Sequence, residues 1–362
     1  MPLKFEPNYR ITLKIANDLI KIEQVKEHIK GLPITPSVLS SLRESAKLYS
    51  THYSTLIEGN RLSQKDVQEV IERKKLKPRT RDEKEVRGYF EALAKLERYA
   101  LEQKPIDEKQ VQTLHALVVS GGQKKVKPSP YRDGQNVIKD SLTGEIIYMP
   151  PEAKDVKNLM AAIINWINSS RDEIPCPIIA GIAHYQFTTI HPYYDGNGRT
   201  ARLLTTLILH LGGYDLKGLY SLEEYYAKEL SAYYEALTVG PSHNYYMGRA
   251  EADITKWIEY FIAGMVESFE KIEKHSLKAS GNFEPDKSEF LRALDPRQRK
   301  VLTLFEQQDV ITSSDLALFF NFAPRTARKL ASTWSEEGFL KVINTSKKAR
   351  KYVLSDKFKK RT

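Results

Sequence analysis

Apolar residues at helical spacing, set among charged ones, fill much of residues 10–110. Tyr89, Leu93 and Leu96 illustrate the pattern, with intervals of four and three residues that put their side chains on one face of a helix. The pattern predicts a mainly α-helical protein. We expect an N-terminal helical region over residues 1–110 and a further helical core over 111–276.

One segment of the predicted core has the pattern of a β-hairpin. An apolar pair at 137–138 and a run at 145–151 flank residues 139–144, which contain the Asp, Ser and Gly typical of turns. Two glycines at 212–213 predict the end of a helix. The core should therefore combine several helices with one short hairpin.

Polar and helix-breaking residues at 277–287 predict a linker, so we expect a separate unit at 288–362. Apolar spacing and capping residues define its elements. The first helix is predicted around 301–305, the second begins after a cap at 313–315, and the third begins at Pro324. Two strands are predicted to follow, at 339–343 and 352–354.

This last unit carries most of the chain's positive charge. The 362-residue chain has a net charge of +10, and residues 288–362 hold sixteen Lys or Arg against eight Asp or Glu, which is +8. The helix from Pro324 should present Arg325, Arg328 and Lys329 on its polar face. Three interpretations stay open for this surface: contact with DNA phosphates and a base edge, protein docking or self-association, and simple solubility.

Composition excludes several classes of protein. The single cysteine, Cys176, excludes a disulfide framework and a cysteine-rich zinc site, which suits a reducing compartment. No apolar run approaches the roughly 20 residues of a membrane-spanning helix, and the first residues lack a signal-peptide pattern. We expect a cytoplasmic protein without a membrane partner.

The run from His191 to Arg202 holds the densest cluster of chemically active side chains. A histidine accepts a proton near neutral pH, an aspartate can hold a hard divalent cation, and glycine-rich backbone can turn N–H groups toward an anion. Helical spacing follows, so the glycine turn would lie at the positive end of a helix, which favours phosphate. Arg199 and Arg202, three residues apart, can reach the same side of that helix.

This run resembles the Fic family motif HPFx(D/E)GN(G/K)RxxR, with Tyr193 in place of the phenylalanine. The resemblance implies that His191 is a general base and that Asp195 holds Mg²⁺ between the α- and β-phosphates of ATP. It also implies an anion hole at the glycine turn and arginines on the β- and γ-phosphates. The expected nucleotide-binding residues are Gly196, Asn197, Gly198, Arg199, Thr200, Ala201 and Arg202.

The glycine version of this motif is typical of AMP transfer, whereas the kinase-like Doc branch resembles HPFxDANKR. Gly196 and Gly198 therefore favour a protein adenylyltransferase that modifies a Ser, Thr or Tyr hydroxyl of another protein or of the chain itself. Three alternatives stay open. They are removal of AMP through Glu58, transfer of another phosphate-linked group, and a DNA-binding regulator in which the Fic unit is a ligand sensor or dimer scaffold.

The predicted hairpin resembles the Fic flap, whose open strand edge pairs with the main chain of a target protein. The resemblance implies that target binding involves Val137, Ile138, Ile147 and Tyr148. After the motif, Tyr233 is expected to stack on the adenine. The alternative for Tyr233 is a ring packed in the helical core.

Residues 54–60, with the sequence STLIEGN, resemble the family's inhibitory motif (S/T)xxxE(G/N). Ser54 and Glu58 lie one helical turn apart, and Gly59 is suited to ending the helix. A Glu58 carboxylate beside Arg202 would take the place of the γ-phosphate. We therefore expect Glu58 to restrain AMP transfer, as in the family's class with an N-terminal inhibitory helix.

The elements predicted for 288–362 resemble a winged helix-turn-helix, which many longer Fic proteins append at this end. The expected fold is a Fic helical domain with a hairpin flap, followed by a C-terminal winged helix domain. Dimers are frequent among Fic proteins, so a homodimer is also expected.

Overall fold

The structure is a computed structural model that divides into two compact units, Met1–Gly281 and Asn282–Thr362. Each unit has a hydrophobic core of its own. The described residues are 4–32, 36–72, 80–123, 125–139, 144–240, 242–280, 294–305, 308–344, 350–355 and 358. Among these, no helix combines the length and apolarity needed to cross a bilayer.

The first unit is mainly helical, as predicted. Its described helices are α1 Leu13–Gly31, α2 Pro36–Ile57, α3 Gln64–Glu72, α4 Arg81–Glu102, α5 Glu108–Ser120, α6 Ala153–Ser169, α7 Cys176–Ile190, α8 Asn197–Leu211, α9 Leu222–Lys228, α10 Leu230–Leu237 and α11 Thr255–Ser280. A 3₁₀ turn and a π-helical turn are found at Leu216–Gly218 and Tyr245–Arg249.

Local sequence explains where several of these helices begin and end. Asp107 caps α5 in a reciprocal pair with Gln110, and Gly121 ends the helix in the left-handed conformation. The end of α8 falls at the two glycines predicted for it, and Gly213 has a φ of +77°. Each of these helix ends is set by hydrogen bonds between residues only a few positions apart.

One hydrophobic core joins the N-terminal helices to the motif helices. Ile15 of α1, Tyr89 of α4, Leu207 of α8 and Trp257 of α11 are all fully buried in it. The predicted division at residue 110 does not separate two compact units, because side chains from both sides of it pack into this single core.

Helices α4 and α5 approach closely at Gly88. An added Cβ there would overlap the Val118 carbonyl oxygen and lie 2.7 Å from that of Leu117. Gly88 therefore permits this close approach because it lacks a side chain.

The hairpin consists of β1 Ile138–Lys139 and β2 Ile146–Tyr148, paired antiparallel with Ile138 opposite Tyr148. Its turn, residues 140–143, lies outside the described residues. The Met149 N–H, just after β2, donates to the His243 carbonyl at 2.7 Å. The hairpin is thus attached to the segment that precedes α11.

The linker predicted from residue 277 is wrong at its start, since α11 continues to Ser280. Leu, Lys and Ala at 277–279 all favour a helix, which outweighs the polar character of the segment. The remainder of the predicted linker, 281–287, lies outside the described residues.

The second unit contains three helices and a small sheet in its described part. The elements are α12 Pro296–Phe305, β3 Ile311–Thr312, α13 Ser313–Phe320, α14 Pro324–Glu336, β4 Leu340–Asn344 and β5 Lys351–Leu354. The strands pair antiparallel in the order β3-β5-β4. The strand β3 was not predicted, and the predicted basic tip at 345–349 lies outside the described residues.

Two details of this unit follow from its sequence. The cap of α13 is Thr312, in a reciprocal pair with Asp315, rather than a residue of the predicted 313–315. Along α14, Ala327, Ala331 and Trp334 are buried, and the predicted polar face is exposed. The amphipathic reading of α14 is therefore correct.

Candidate active site

His191 lies directly after α7, where the backbone turns into the left-handed conformation with φ +51°. Its Nδ1 donates to the Thr188 carbonyl at 3.3 Å, so the lone pair resides on Nε2. Burial lowers the pKa of His191 to about 4. The imidazole is therefore neutral at pH 7 and able to accept a proton.

A buried arginine fixes the backbone around His191. Arg132 donates through Nε to the His191 carbonyl at 2.9 Å and through Nη1 to that of Gly134 at 3.0 Å. Its Nη2 reaches the Ile190 carbonyl at 3.5 Å and also that of Pro151. This role of Arg132 is not apparent from the sequence, because the bonds link residues up to 59 positions apart.

The turn that follows His191 is closed by Asn197. The Asn197 Oδ1 accepts from the Tyr193 N–H at 2.9 Å, and Nδ2 donates to the Tyr193 carbonyl at 2.7 Å. Gly196 precedes α8 with a φ of +77°, a conformation that favours glycine. The Asn197 side chain is thus structural, and only its backbone N–H remains for the predicted anion hole.

His115 of α5 supports the same turn. Its Nε2 donates to the Asp195 carbonyl at 2.9 Å, and its ring stacks on Tyr193 with centroids 3.5 Å apart. Burial lowers the pKa of His115 to about 4, so this ring is neutral as well. His115 could not be found from the sequence, since it lies 80 positions before its partner and no local pattern marks it.

Asp195 projects into solvent at the start of α8, with its side chain 67% exposed. Its Oδ1 accepts from Arg199 Nη2 at 3.1 Å. The Arg199 guanidinium is buried and lies 3.8 Å from Glu85 Oε1. Arg199 and Arg202 therefore engage different carboxylates, although they lie on one helix.

The donor set around Asp195 fits Mg²⁺ held partly by a nucleotide. Within the described residues, no three His, Cys, Asp or Glu side chains converge to form a metal cage. Mg²⁺ is commonly bound by one or two carboxylates together with phosphate oxygens and water. One exposed carboxylate beside a helix N-terminus meets that requirement.

Two predicted nucleotide-binding residues point away from the site. The Thr200 hydroxyl donates to the Gly196 carbonyl at 2.8 Å, and Thr200 is fully buried. Ala201 is also fully buried and belongs to the hydrophobic core. Both predictions are wrong for the side chains, because these positions face inward on α8.

Arg202 is bound by the C-terminal end of α2. Its Nε donates to Ser54 Oγ at 2.8 Å, and its Nη2 donates to the Ser54 carbonyl at 2.9 Å and to Glu58 Oε1 at 2.8 Å. Burial would lower the pKa of Arg202, but Glu58 and nearby tyrosines more than offset this and raise it. Arg202 is therefore a permanent cation paired with Glu58.

The Glu58 carboxylate lies over the first turn of α8. An added Cβ at Gly198 would overlap Glu58 Oε1, and it would lie 3.2 Å from Arg202 Nη1. The end of α2 is formed by Gly59, with a φ of +86°. Glu58 thus lies at the N-terminal end of α8, beside Arg202 as expected from the inhibitory motif.

Residues 105–209 match the model of the Fic/DOC family. The chain contains a Fic domain. The matched segment includes α5, the hairpin, α6, α7 and the whole His191–Arg202 motif up to residue 209.

Curated relatives match about half of this chain. "Protein adenylyltransferase Fic" of Nematostella vectensis is 28% identical over 200 residues, which are 54% of this chain and 45% of that protein. The protein of the same name from Drosophila virilis is 27% identical over 199 residues, 54% of this chain and 39% of that protein. The matches thus span less than half the length of these relatives.

Solved structures show that the fold is shared. A Fic family protein from Desulfovibrio desulfuricans G20 has a TM-score of 0.62 and 22% identity, over 97% of this chain and 99% of that chain. A Fic domain containing signaling protein from Bacteroides thetaiotaomicron VPI-5482 has a TM-score of 0.59 and 21% identity, over 75% and 98%.

The flap of this Fic domain is anchored by one of its predicted target-binding residues. Tyr148 is buried, and its hydroxyl donates to the Thr189 carbonyl at 2.7 Å, so its side chain does not face a target. Ile147 is 39% exposed, whereas Val137 and Ile138 are partly buried. Three of the four predicted flap residues thus remain accessible.

Tyr233 lies inside the hydrophobic core of the first unit, only 2% exposed. Its hydroxyl is 2.8 Å from His184 Nε2, and its ring stacks on Tyr226 with centroids 4.7 Å apart. The prediction that adenine stacks on Tyr233 is therefore wrong for this arrangement, because neighbouring rings cover it. Tyr234 is 48% exposed, and its hydroxyl donates to the Ile57 carbonyl beside Glu58 at 3.4 Å.

Proposed function

We propose that this chain is an adenylyltransferase that moves AMP from ATP to a Ser, Thr or Tyr hydroxyl of another protein or of the chain itself. The observation that carries the proposal is a neutral His191 beside the N-terminus of α8, with Arg199 and Arg202 on that helix. Similarity to proteins named protein adenylyltransferase agrees with this activity.

The triphosphate of ATP would lie at the start of α8. The first N–H groups of a helix lack intrahelical partners and attract anions. Arg199 and Arg202 add two permanent cations on the first turns of the same helix. Asp195 is the residue that would hold Mg²⁺, which supplies charge neutralisation on the phosphates when bound.

In the transfer step, the target's hydroxyl oxygen forms a bond to the α-phosphorus, and the bond from that phosphorus to the bridging oxygen breaks. Pyrophosphate leaves, and the hydroxyl proton passes to Nε2 of His191. Arg132 and Thr188 keep the imidazole oriented for that transfer. The backbone N–H groups of α8 stabilise charge on the phosphates.

The flap would bind the target as an added strand. Among the described residues, β1 pairs only with β2, so the other edge of β1 is available for main-chain hydrogen bonds. Such pairing places an extended peptide beside the site without requiring a particular side chain. Tyr234 replaces Tyr233 as the proposed aromatic partner of the base, since part of its ring is exposed.

Glu58 would restrain the reaction. Its carboxylate pairs with Arg202 at 2.8 Å and covers Gly198, where a phosphate would bind. ATP would then compete with an anion that is part of the chain.

Incubation with ATP labelled on the α-phosphate and Mg²⁺ tests the proposal. Glu58→Ala should raise self-labelling about 5- to 150-fold, the range of a typical coupling free energy. Adding His191→Ala should then remove at least about 100-fold, since a general base contributes roughly 10²–10⁴.

The matched control is Glu44→Ala, which removes an exposed glutamate from the same helix. It should label like the unaltered chain. Equal labelling with and without His191 would refute the proposed reaction, and a Glu58→Ala chain no more active than the control would refute the restraint.

A second proposed function is DNA binding by the unit Asn282–Thr362. Arg325, Arg328 and Lys329 are exposed along α14, opposite its buried face. The order of three helices followed by a hairpin resembles a winged helix, in which such a helix contacts the major groove. The homodimer and the cytoplasmic location stay predictions.

A further inference from the structure

Glu223 is a buried carboxylate on α9 that receives hydrogen bonds from three separate segments. Its Oε2 accepts from Ser50 Oγ of α2 and from Ser221 Oγ, both at 2.8 Å. Its Oε1 accepts from the Tyr89 hydroxyl of α4 at 2.8 Å. Glu223 is 2% exposed, so these bonds replace water around a buried acid.

Two of these donors, Ser50 and Tyr89, lie on the side of Glu223 that leads toward the contact between Glu58 and Arg202. The Tyr89 hydroxyl lies near Ser54, and Ser54 Oγ accepts from Arg202 Nε at 2.8 Å. Ser50 and Ser54 lie one turn apart on α2, and Glu58 follows four residues later, just after the helix end, so the three lie along one stripe. Glu223 thus binds this stripe directly at Ser50, and its second donor, Tyr89, lies near the stripe at Ser54.

The position of α2 depends on more than its pair with Arg202. The Glu58 side chain is 26% exposed and directly follows Ile57, the last residue of α2, where solvent competes for its ion pair. Ser50, Ser54 and Tyr89 are buried, so their bonds are shielded from water. Loss of the buried bonds should therefore free the end of α2 that carries Glu58.

We propose that Glu223, through Ser50 and Tyr89, is the positioning residue that holds α2 so that Glu58 reaches Arg202. The inference rests on the proposed function, since it assigns a cause to the restraint by Glu58. Release of the site would then require the bonds at Glu223 to break together with the Glu58–Arg202 pair.

Two variants with matched controls test this in the full chain. Ser50→Ala removes the direct bond, and Ser41→Ala removes an exposed serine of the same helix. Glu223→Gln removes the charge that collects three donors, and Glu224→Gln changes the neighbouring glutamate, which pairs with Lys271 on α11. Neither Ser50 nor Glu223 touches the proposed nucleotide.

Self-labelling should rise about fivefold or more in Ser50→Ala and Glu223→Gln, the lower end of typical coupling. The controls should match the unaltered chain. In a Glu58→Ala background the same two changes should add nothing, because the restraint is already gone. An increase that persists in that background, or no increase at all, would overturn the proposal.

Hydrogen exchange of the amides at 50–58 gives a readout independent of activity. Exchange should accelerate in Ser50→Ala and Glu223→Gln but not in Ser41→Ala or Glu224→Gln. If Glu58→Ala gains no labelling, the proposed restraint fails, and exchange alone decides whether Glu223 positions α2. Equal exchange in variants and controls would then overturn the inference.

Discussion

Burial sets the protonation state of His191. Its neighbours fix the tautomer through Thr188 and the backbone through Arg132, so Nε2 is the free nitrogen. Desolvation by burial lowers its pKa to about 4. The side chain is consequently a weaker base than an exposed histidine, but it is already deprotonated across the physiological range.

AMP transfer by the Glu58→Ala chain should therefore change little between pH 8 and pH 6. An unshifted histidine, with a pKa of about 6.5, would be only about one-quarter neutral at pH 6, a roughly fourfold loss. A pKa of about 4 keeps nearly all of the base neutral there. Initial rates at saturating ATP, in half-unit steps of pH, measure the difference.

A decline with its midpoint near 6.5 would contradict this expectation. The Glu58→Ala/His191→Ala chain is the control, since any pH dependence that it retains belongs to other groups.

At the scale of elements, the contact of α4 with α5 depends on one missing methyl group. Gly88 leaves no room for a Cβ against the Leu117 and Val118 carbonyls. Backbone atoms cannot rotate away as a side-chain end can, so the helices would have to separate. Because α5 carries His115 beneath Asp195, such a shift would also reach the candidate site.

Gly88→Ala should lower the free energy of unfolding by about 1–3 kcal/mol, the usual cost of overpacking. Gly31→Ala is the control, since an added Cβ there meets nothing within 4 Å. The control should be neutral or slightly stabilising because alanine favours a helix. Urea unfolding followed by circular dichroism measures both, and equal midpoints would contradict the expected crowding.

The sequence alone predicted the helices and the hairpin better than it predicted the long-range contacts between their side chains. The helices, the hairpin and the Gly59 helix end follow from spacing and capping over a few residues, and the structure contains them. A motif identifies residues but not the direction in which each side chain points. The inward orientation of Thr200 and Ala201 was therefore not predicted. His115 and Glu223 could not be found, since their bonds cross 80 and up to 173 positions of chain.

At the scale of the whole molecule, positive charge is concentrated toward the C-terminal end. Residues 288–362 supply +8 of the net +10. A basic surface of this kind favours polyanions but does not choose among them. The exposed cations of α14 make duplex DNA the partner to test first.

Arg325→Ala/Arg328→Ala in the full chain should weaken DNA binding and flatten its salt dependence. Each phosphate contact contributes about 0.9 to the slope of log K against log salt, so two lost contacts should reduce it by about 1.8. Lys256→Ala/Lys274→Ala, which removes two exposed charges from α11, is the control. Equal slopes in both double variants would contradict DNA contact by α14.

Glu58 and Arg202 belong to one polypeptide and are joined at 2.8 Å, and their neighbours Ile57 and Leu203 pack into one hydrophobic core. An inhibitor built into the same molecule has an effective concentration that dilution does not alter. Under the proposed function, the amount of protein that a cell makes would therefore not switch the enzyme on or off. Its activity would depend on whatever separates Glu58 from Arg202 within the chain.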